Sequence, residues 1–238
     1  MWLHLELFLI SAFTSLFAGV LGIGGGLMLI AVLPAFVPAV AIVPLHSVTQ
    51  ISSNASRALF ALNAVEWRYL PGFFSGSLIG VAVFGYVLSR IPTHYIPLFI
   101  GAYLLLNIWS RRFGKLLEKY ENILLMGFIQ TGLGLLVGAT GPLAMSMLLK
   151  QTGDREKVVA TSAMLMTVTH LFKIVFFGIL GFAYRAYLVP LILLVSGAVL
   201  GSLIGTRLRG SIDGRHFIVA LKVVLTVLAL RMIYQVFQ

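Results

Sequence analysis

The stretch Leu7 to Leu33, LFLISAFTSLFAGVLGIGGGLMLIAVL, decides the fold. It is 27 residues of almost unbroken apolar chain, where about 20 suffice to cross a hydrocarbon core of ~30 Å. Gly22 and the run Gly24-Gly25-Gly26 interrupt it. Glycine breaks a helix cheaply and lets backbone or ligand approach closely. A broken helix inside a bilayer leaves N–H groups that lipid cannot satisfy, so the break must line a protein-buried or watery site. A half-helix N-terminus placed there attracts anions. Plain helix packing is the competing explanation, but three consecutive breakers are more than packing needs.

Working outward, seven further apolar segments follow, at 41–63, 71–89, 95–110, 122–149, 157–183, 186–206 and 216–237. The whole chain of 238 residues is 60% hydrophobic and 10% charged, against roughly 25% charged in a soluble domain. The fold class is therefore an all-α, polytopic membrane protein. The formal charge of +10 does not point to nucleic acid, because most Lys and Arg fall in short loops where the positive-inside rule puts them. The absence of cysteine excludes thiolate metal sites and disulfide chemistry on this chain. Met1 to Glu6 lacks a basic n-region and is expected to be retained.

The two halves resemble each other. Gly138-Ala139-Thr140-Gly141-Pro142 repeats the first break at an offset of 116 residues, inside segment 122–149. Gly76-Ser77-Leu78-Ile79-Gly80 pairs with Gly197-Ala198-Val199-Leu200-Gly201 after a few residues of slip; close helix packing explains these glycines well. The expected architecture is a bundle of two homologous four-segment halves, 1–120 and 121–238, related as inverted repeats with Gly-broken first segments. Gly-interrupted segments at corresponding places point to a transporter-type site. Charge favours this arrangement. If all eight segments cross, Arg68, Arg111, Arg112, Lys115, Lys119 and Arg185 oppose Arg90, Lys150, Arg155, Lys157, Arg207, Arg209 and Arg215, six against seven. If 7–33 and 122–149 are re-entrant, the same residues divide eleven to two, with only Arg90 and Arg185 in the minority.

The charges inside the segments are all cationic: Arg57, Lys173, Lys222 and Arg231. All seven carboxylates lie at segment ends or in loops. Lys222 and Arg231 are expected to snorkel. Arg57 and Lys173 are related by the offset of 116, and a bound anion is a natural counter-charge for such cations. Helical spacing puts Ser53 and Asn54 on the face of Arg57, and Thr169 and His170 on that of Lys173; Ser47 and Ser162 lie further along the same helices. Singly, each hydroxyl is better explained by bonding its own helix. The expected substrate-binding set is Gly24, Gly25, Gly26, Ser47, Ser53, Asn54, Arg57, Thr140, Gly141, Ser162, Thr169, His170 and Lys173. His170 either titrates and couples a proton or is satisfied by a neighbouring helix. No catalytic set, metal constellation or cofactor is expected. Trp67, Tyr69, Trp109, Tyr184 and Tyr187 read as interfacial anchors. The expected partners are the bilayer and a small anion; proton coupling and a homodimer stay open.

The duplicated order of apolar run, Gly-rich break, Ser-containing helix and Gly-x-x-x-Gly helix resembles the sulfite exporter TauE/SafE family, also called the toluene-sulfonate uptake permeases. The matching residues are Gly19, Gly22 to Gly26, Ser47, Trp67-Arg68 and Gly76/Gly80, then Gly138, Gly141-Pro142, Thr161-Ser162, Gly197 and Gly201. His46 stands where the pattern has Thr, and Ala139-Thr140 interrupts the second Gly-rich turn. The resemblance implies secondary transport of sulfite, sulfonates or related organosulfur anions, in a prokaryotic inner (plasma) membrane, by alternating access. A passive anion channel and a non-transporting membrane scaffold are the alternatives to a carrier.

Overall fold

A computed structural model describes residues 2–22, 24–118, 121–140, 143–208 and 215–238, all in helices and short connections among the described residues. The elements are α1 (Trp2–Leu21), α2 (Gly25–Val32), α3 (Ala39–Leu59), α4 (Leu70–Leu88), α5 (Ile96–Trp109), α6 (Arg111–Glu118), α7 (Ile123–Val137), α8 (Leu143–Thr152), α9 (Arg155–Ile179), α10 (Leu188–Arg207) and α11 (Arg215–Gln235). Local chemistry sets several of these boundaries. The Asn122 side chain accepts from Leu124 N and Leu125 N to start α7, and Asp154 accepts from Glu156 N and Lys157 N to start α9. The expected break in 7–33 separates α1 from α2, where Gly24 sits at φ 93°. The break in 122–149 separates α7 from α8, where Gly138 sits at φ 72°. Both angles fall where only glycine is unstrained.

The bundle is polar inside and apolar outside. Ser11, His46, Gln50, Asn54, Gln130, Thr169 and Lys173 are buried, while Leu78, Ile79, Tyr86, Ile179, Ile192, Val223 and Val227 are exposed. An exterior of this kind needs hydrocarbon around it. The stretches Trp67–Leu88, Arg155–Ile179 and Tyr184–Arg207 are each long and apolar enough to cross a membrane. With 21 residues, α3 is equally long, but His46, Ser47, Thr49, Gln50, Ser53, Asn54 and Arg57 dilute its hydropathy. All seven are buried, so the polar face of α3 turns into the protein and not towards lipid. Tyr69, at the start of the span Trp67–Leu88, packs its ring beside Phe73 and Met126, and its hydroxyl accepts from Arg68 Nη2 at 3.0 Å.

Two glycine seams hold parallel helix pairs. A Cβ on Gly201 would lie 2.0 Å from Ala12 O, and one on Gly197 2.4 Å from Phe8 O, so α10 runs alongside α1 in the same direction. On α4, a Cβ on Gly76 would meet Leu124 O and one on Gly80 would lie 2.4 Å from Phe128 O, so α4 runs parallel to α7. These glycines let the backbones touch, as small residues do in membrane bundles.

Ion pairs fix which ends share a face. Lys150 Nζ lies 2.9 Å from Glu121 Oε1, so α7–α8 enters and leaves on one face of the bundle. Lys157 Nζ lies 2.7 Å from Glu66 Oε1 on that same face. The far end of α4, about 28 Å away at 1.5 Å per residue, shares a cleft with Val40, Leu180 and Ala186. Because α1 runs with α10 it starts near this opposite face, and α2 returns to it before α3 begins at Ala39. Eight full crossings would have put Glu121 and Lys150 ~30 Å apart.

Candidate functional site

The break between α1 and α2 opens on a cavity of about 40 Å³, room for roughly three or four water-sized groups at ~10–15 Å³ each. Gly22, Gly24, Gly25, Gly26 and Leu27 line it from the break; His46, Gln50, Asn54 and Arg57 line it from α3. Ala139 from the second break and Val159, Ser162, Ala163 and Met166 from α9 complete the wall. No side chain caps α2 among the described residues, and Gly25, Gly26 and Leu27, whose amides are the first donors of that helix, line the cavity. Gln50 Nε2 and Ser162 Oγ are buried with no hydrogen-bond partner among the described residues. A concave site that offers backbone, amide and hydroxyl donors suits an oxyanion.

Arg57 does not snorkel. It is buried and donates from Nη1 to Ala18 O (3.2 Å), from Nε to Ser53 O (3.3 Å) and from Nη2 to Asn54 Oδ1. Lys173, fully buried, donates from Nζ to Gly138 O. Each cation therefore serves a carbonyl where the first half-helix of its break ends, at the negative pole of α1 or α7. The role differs from the expected one of a bare counter-charge, yet the electrostatic result is similar. With the C-terminal pole answered by a cation, the N-terminal pole of the following half-helix is left to act on whatever occupies the break. No carboxylate pairs with Lys173 among the described residues.

The two breaks are finished differently. At the second, Gln130 Oε1 accepts from Ala144 N (3.3 Å) at the start of α8, and Tyr103 OH donates to Thr140 O (2.6 Å). Side chains fill the role there that the cavity leaves vacant at the first break. The structure thus gathers Gly24, Gly25, Gly26, Asn54, Arg57 and Ser162 around one cavity, and draws other expected residues into structural bonds. Ser47 Oγ donates to Val43 O, one helical turn back. Ser53 Oγ meets Ser202 Oγ at 2.8 Å across the α3–α10 contact. Thr140 Oγ1 donates to Gln130 O, and Thr169 Oγ1 contacts both Gln130 Nε2 and Thr131 Oγ1. Their donors are already committed. His170 and Lys173 sit behind the cavity wall, with His170 Nδ1 3.5 Å from Lys173 Nζ. Gly141 lies outside the described residues. Lys222 and Arg231 are exposed on α11, as snorkelling side chains would be.

His46, Gln50, Gln130 and Tyr103 were not in the expected set. The first two lie at spacings of four before Asn54, a periodicity that reads directly from the sequence once the face of Arg57 is drawn. Gln130 is a lone amide in the apolar run Ile123–Val137, which also marks it. Nothing about Tyr103 distinguishes it from the other tyrosines of the chain.

The family model described as Sulfite exporter TauE/SafE matches residues 7–232 of the chain. No curated protein and no solved structure matches it.

Proposed function

The chain belongs to the sulfite exporter TauE/SafE family, a family of membrane transporters, and from that premise we propose that it is a secondary carrier of small sulfur oxyanions such as sulfite or a sulfonate. The observation that carries this reading is the cavity at the first break, where an uncapped helix N-terminus, the unpartnered donors of Gln50 and Ser162 and the guanidinium of Arg57 converge. A tetrahedral or pyramidal oxyanion presents several acceptors at once, and each of these groups can supply a donor.

The carrier works by alternating access between two halves related as inverted repeats, 1–120 and 121–238, in a prokaryotic inner membrane. Support for the inversion comes from the exchanged pairings: α1 packs on α10 as α7 packs on α4, and both pairs run parallel. The two broken segments enter from opposite faces, as re-entrant hairpins in inverted halves would. The cavity draws residues from both halves, so rocking one against the other opens it to either side in turn.

The test is thermal stability of the purified protein against sulfite, thiosulfate, methanesulfonate, sulfate and chloride. A ligand that binds only the folded state raises the midpoint by mass action. A selective rise with one sulfur oxyanion, lost in Arg57→Gln, is expected; equal response to every salt would leave the glycines and cations with packing roles only.

A further inference from the structure

The helices α3 and α9 carry matched polar faces. His46, Gln50, Asn54 and Arg57 on α3 correspond, each at the offset of 116, to Ser162, Met166, His170 and Lys173 on α9. The two helices pack together in opposite directions, because α3 ends and α9 begins near the Glu66–Lys157 ion pair. A histidine early in one face therefore meets a histidine late in the other. The His46 and His170 rings lie edge to face with centroids 5.6 Å apart, both fully buried.

Their partners assign the tautomers. His46 Nε2 lies 3.0 Å from Gly26 O; a carbonyl only accepts, so Nε2 carries the proton and Nδ1 is a bare lone pair. His170 Nδ1 lies 3.5 Å from Lys173 Nζ; an ammonium only donates, so the His170 proton sits on Nε2. The two atoms left over, His46 Nδ1 and His170 Nε2, are the two ring nitrogens with no hydrogen-bond partner among the described residues. One ring is left with an unused acceptor and its neighbour with an unused donor. The charged groups acting on the pair are Lys173 and Arg57. The adjoining α2 and α7 contain no titratable residue, Tyr103 of α5 is engaged with Thr140 O, and Lys150 and Arg207 lie exposed at the far ends of α8 and α10.

We propose that the His46–His170 pair is a proton-binding site linked to the anion, so that one proton from water joins His46 Nδ1 as the anion enters the cavity that His46 lines. The pair sits between the α3 and α9 faces, where movement of the halves would act on it. Without an anion, Lys173 and Arg57 repel the added charge; with one, the anion offsets it. This rests on the cavity being an anion site, as proposed above.

The experiment is calorimetric titration of the full-length protein with sulfite between pH 5.5 and 8.5, in buffers of different ionisation enthalpy. The heats give protons taken up per anion, from which the anion's own protonation, measured in buffer alone, is subtracted. The wild type should take up close to one further proton, and its corrected affinity should fall about tenfold per pH unit on the alkaline limb, the slope of a one-proton linkage. His46→Gln should bind sulfite with no further proton, and His170→Asn, which installs the residue found at the matching position of α3, should bind with a displaced pH midpoint. Sulfite binding by the wild type without the further proton overturns the proton site and spares the anion site. No sulfite binding at any pH overturns both. The wild-type measurement decides even if a variant fails to fold.

Discussion

Replacing Arg57 by Gln separates a binding role from a packing one. An anion bound in the cavity as proposed would touch the guanidinium at ~4 Å, where two unit charges attract by about 4 kcal/mol at an effective permittivity of ~20. Arg57 also serves Ala18 O, Ser53 O and Asn54 Oδ1, so part of its field is spent on neutral acceptors. Discounting by a third to a half leaves ~2–3 kcal/mol, or a loss of affinity of roughly 30- to 150-fold at about 1.4 kcal/mol per decade. Stability should change far less. Losing hydrogen bonds from a charged donor costs ~1.5–3 kcal/mol, but the variant no longer buries a charge, which offsets much of it. Arg57→Lys keeps the charge and loses the planar fork, so its loss should be nearer to ~3- to 10-fold, the two variants forming a series. Isothermal titration with sulfite, alongside thermal midpoints, reads both quantities. Arg57→Gln binding within threefold of wild type would refute the reasoning, because no arrangement of a contacting guanidinium is so indifferent to its charge.

Further outcomes follow from the packing, the loops and the topology. Gly201→Ala places a methyl 2.0 Å from Ala12 O and should destabilise by ~1–3 kcal/mol through forced separation of α1 and α10; Gly178→Ala, whose nearest neighbour would be 3.9 Å away, should be neutral or slightly stabilising, as thermal denaturation will show. The Lys157 hydrogen bond, ahead of its charge, holds the Glu66 carboxyl below its ordinary 4.5. A lowered folded value means stability present above the unfolded value and lost as pH falls through the folded one, so Glu66→Gln should remove an acid-limb decline seen below about pH 4.5 in wild type. Because the chain has no cysteine, single cysteines at Glu121 and Lys150 can be labelled in sealed vesicles; both should react from one side and a cysteine at Ala183 from the other, while opposite labelling of 121 and 150 would break the re-entrant topology.

Much of this fold was legible because two physical signals coincide in the sequence. Clustered glycines in the middle of apolar runs suit the end of one half-helix and the start of another, and both breaks fall where Gly22 to Gly26 and Gly138 placed them. The positive-inside division favoured re-entrant first segments, and the Lys150–Glu121 ion pair brings the two ends of segment 122–149 to one face of the bundle. The seams at Gly76, Gly80, Gly197 and Gly201 were legible as small-residue spacing. What was not legible is which hydroxyl a helix spends on itself. Ser47 and Ser162 occupy nearly equivalent sequence positions, yet Ser47 bonds Val43 O while Ser162 Oγ stays unpartnered in the cavity wall. Nor does sequence periodicity reveal that Arg57 and Lys173 attend the carbonyl ends of α1 and α7, because that contact spans 39 residues in one case and 35 in the other. Segment counting also hid the short amphipathic α6 within the polar stretch Arg111 to Glu121.

The most direct test of the central claim is the flux of radiolabelled sulfite into proteoliposomes holding the purified protein, with the same internal and external sulfite and an imposed proton gradient. Accumulation above equilibrium, inhibited by methanesulfonate and absent in Arg57→Gln, is the predicted result. Flux that only dissipates a sulfite gradient, or none at all in protein that is folded, would contradict a coupled anion carrier.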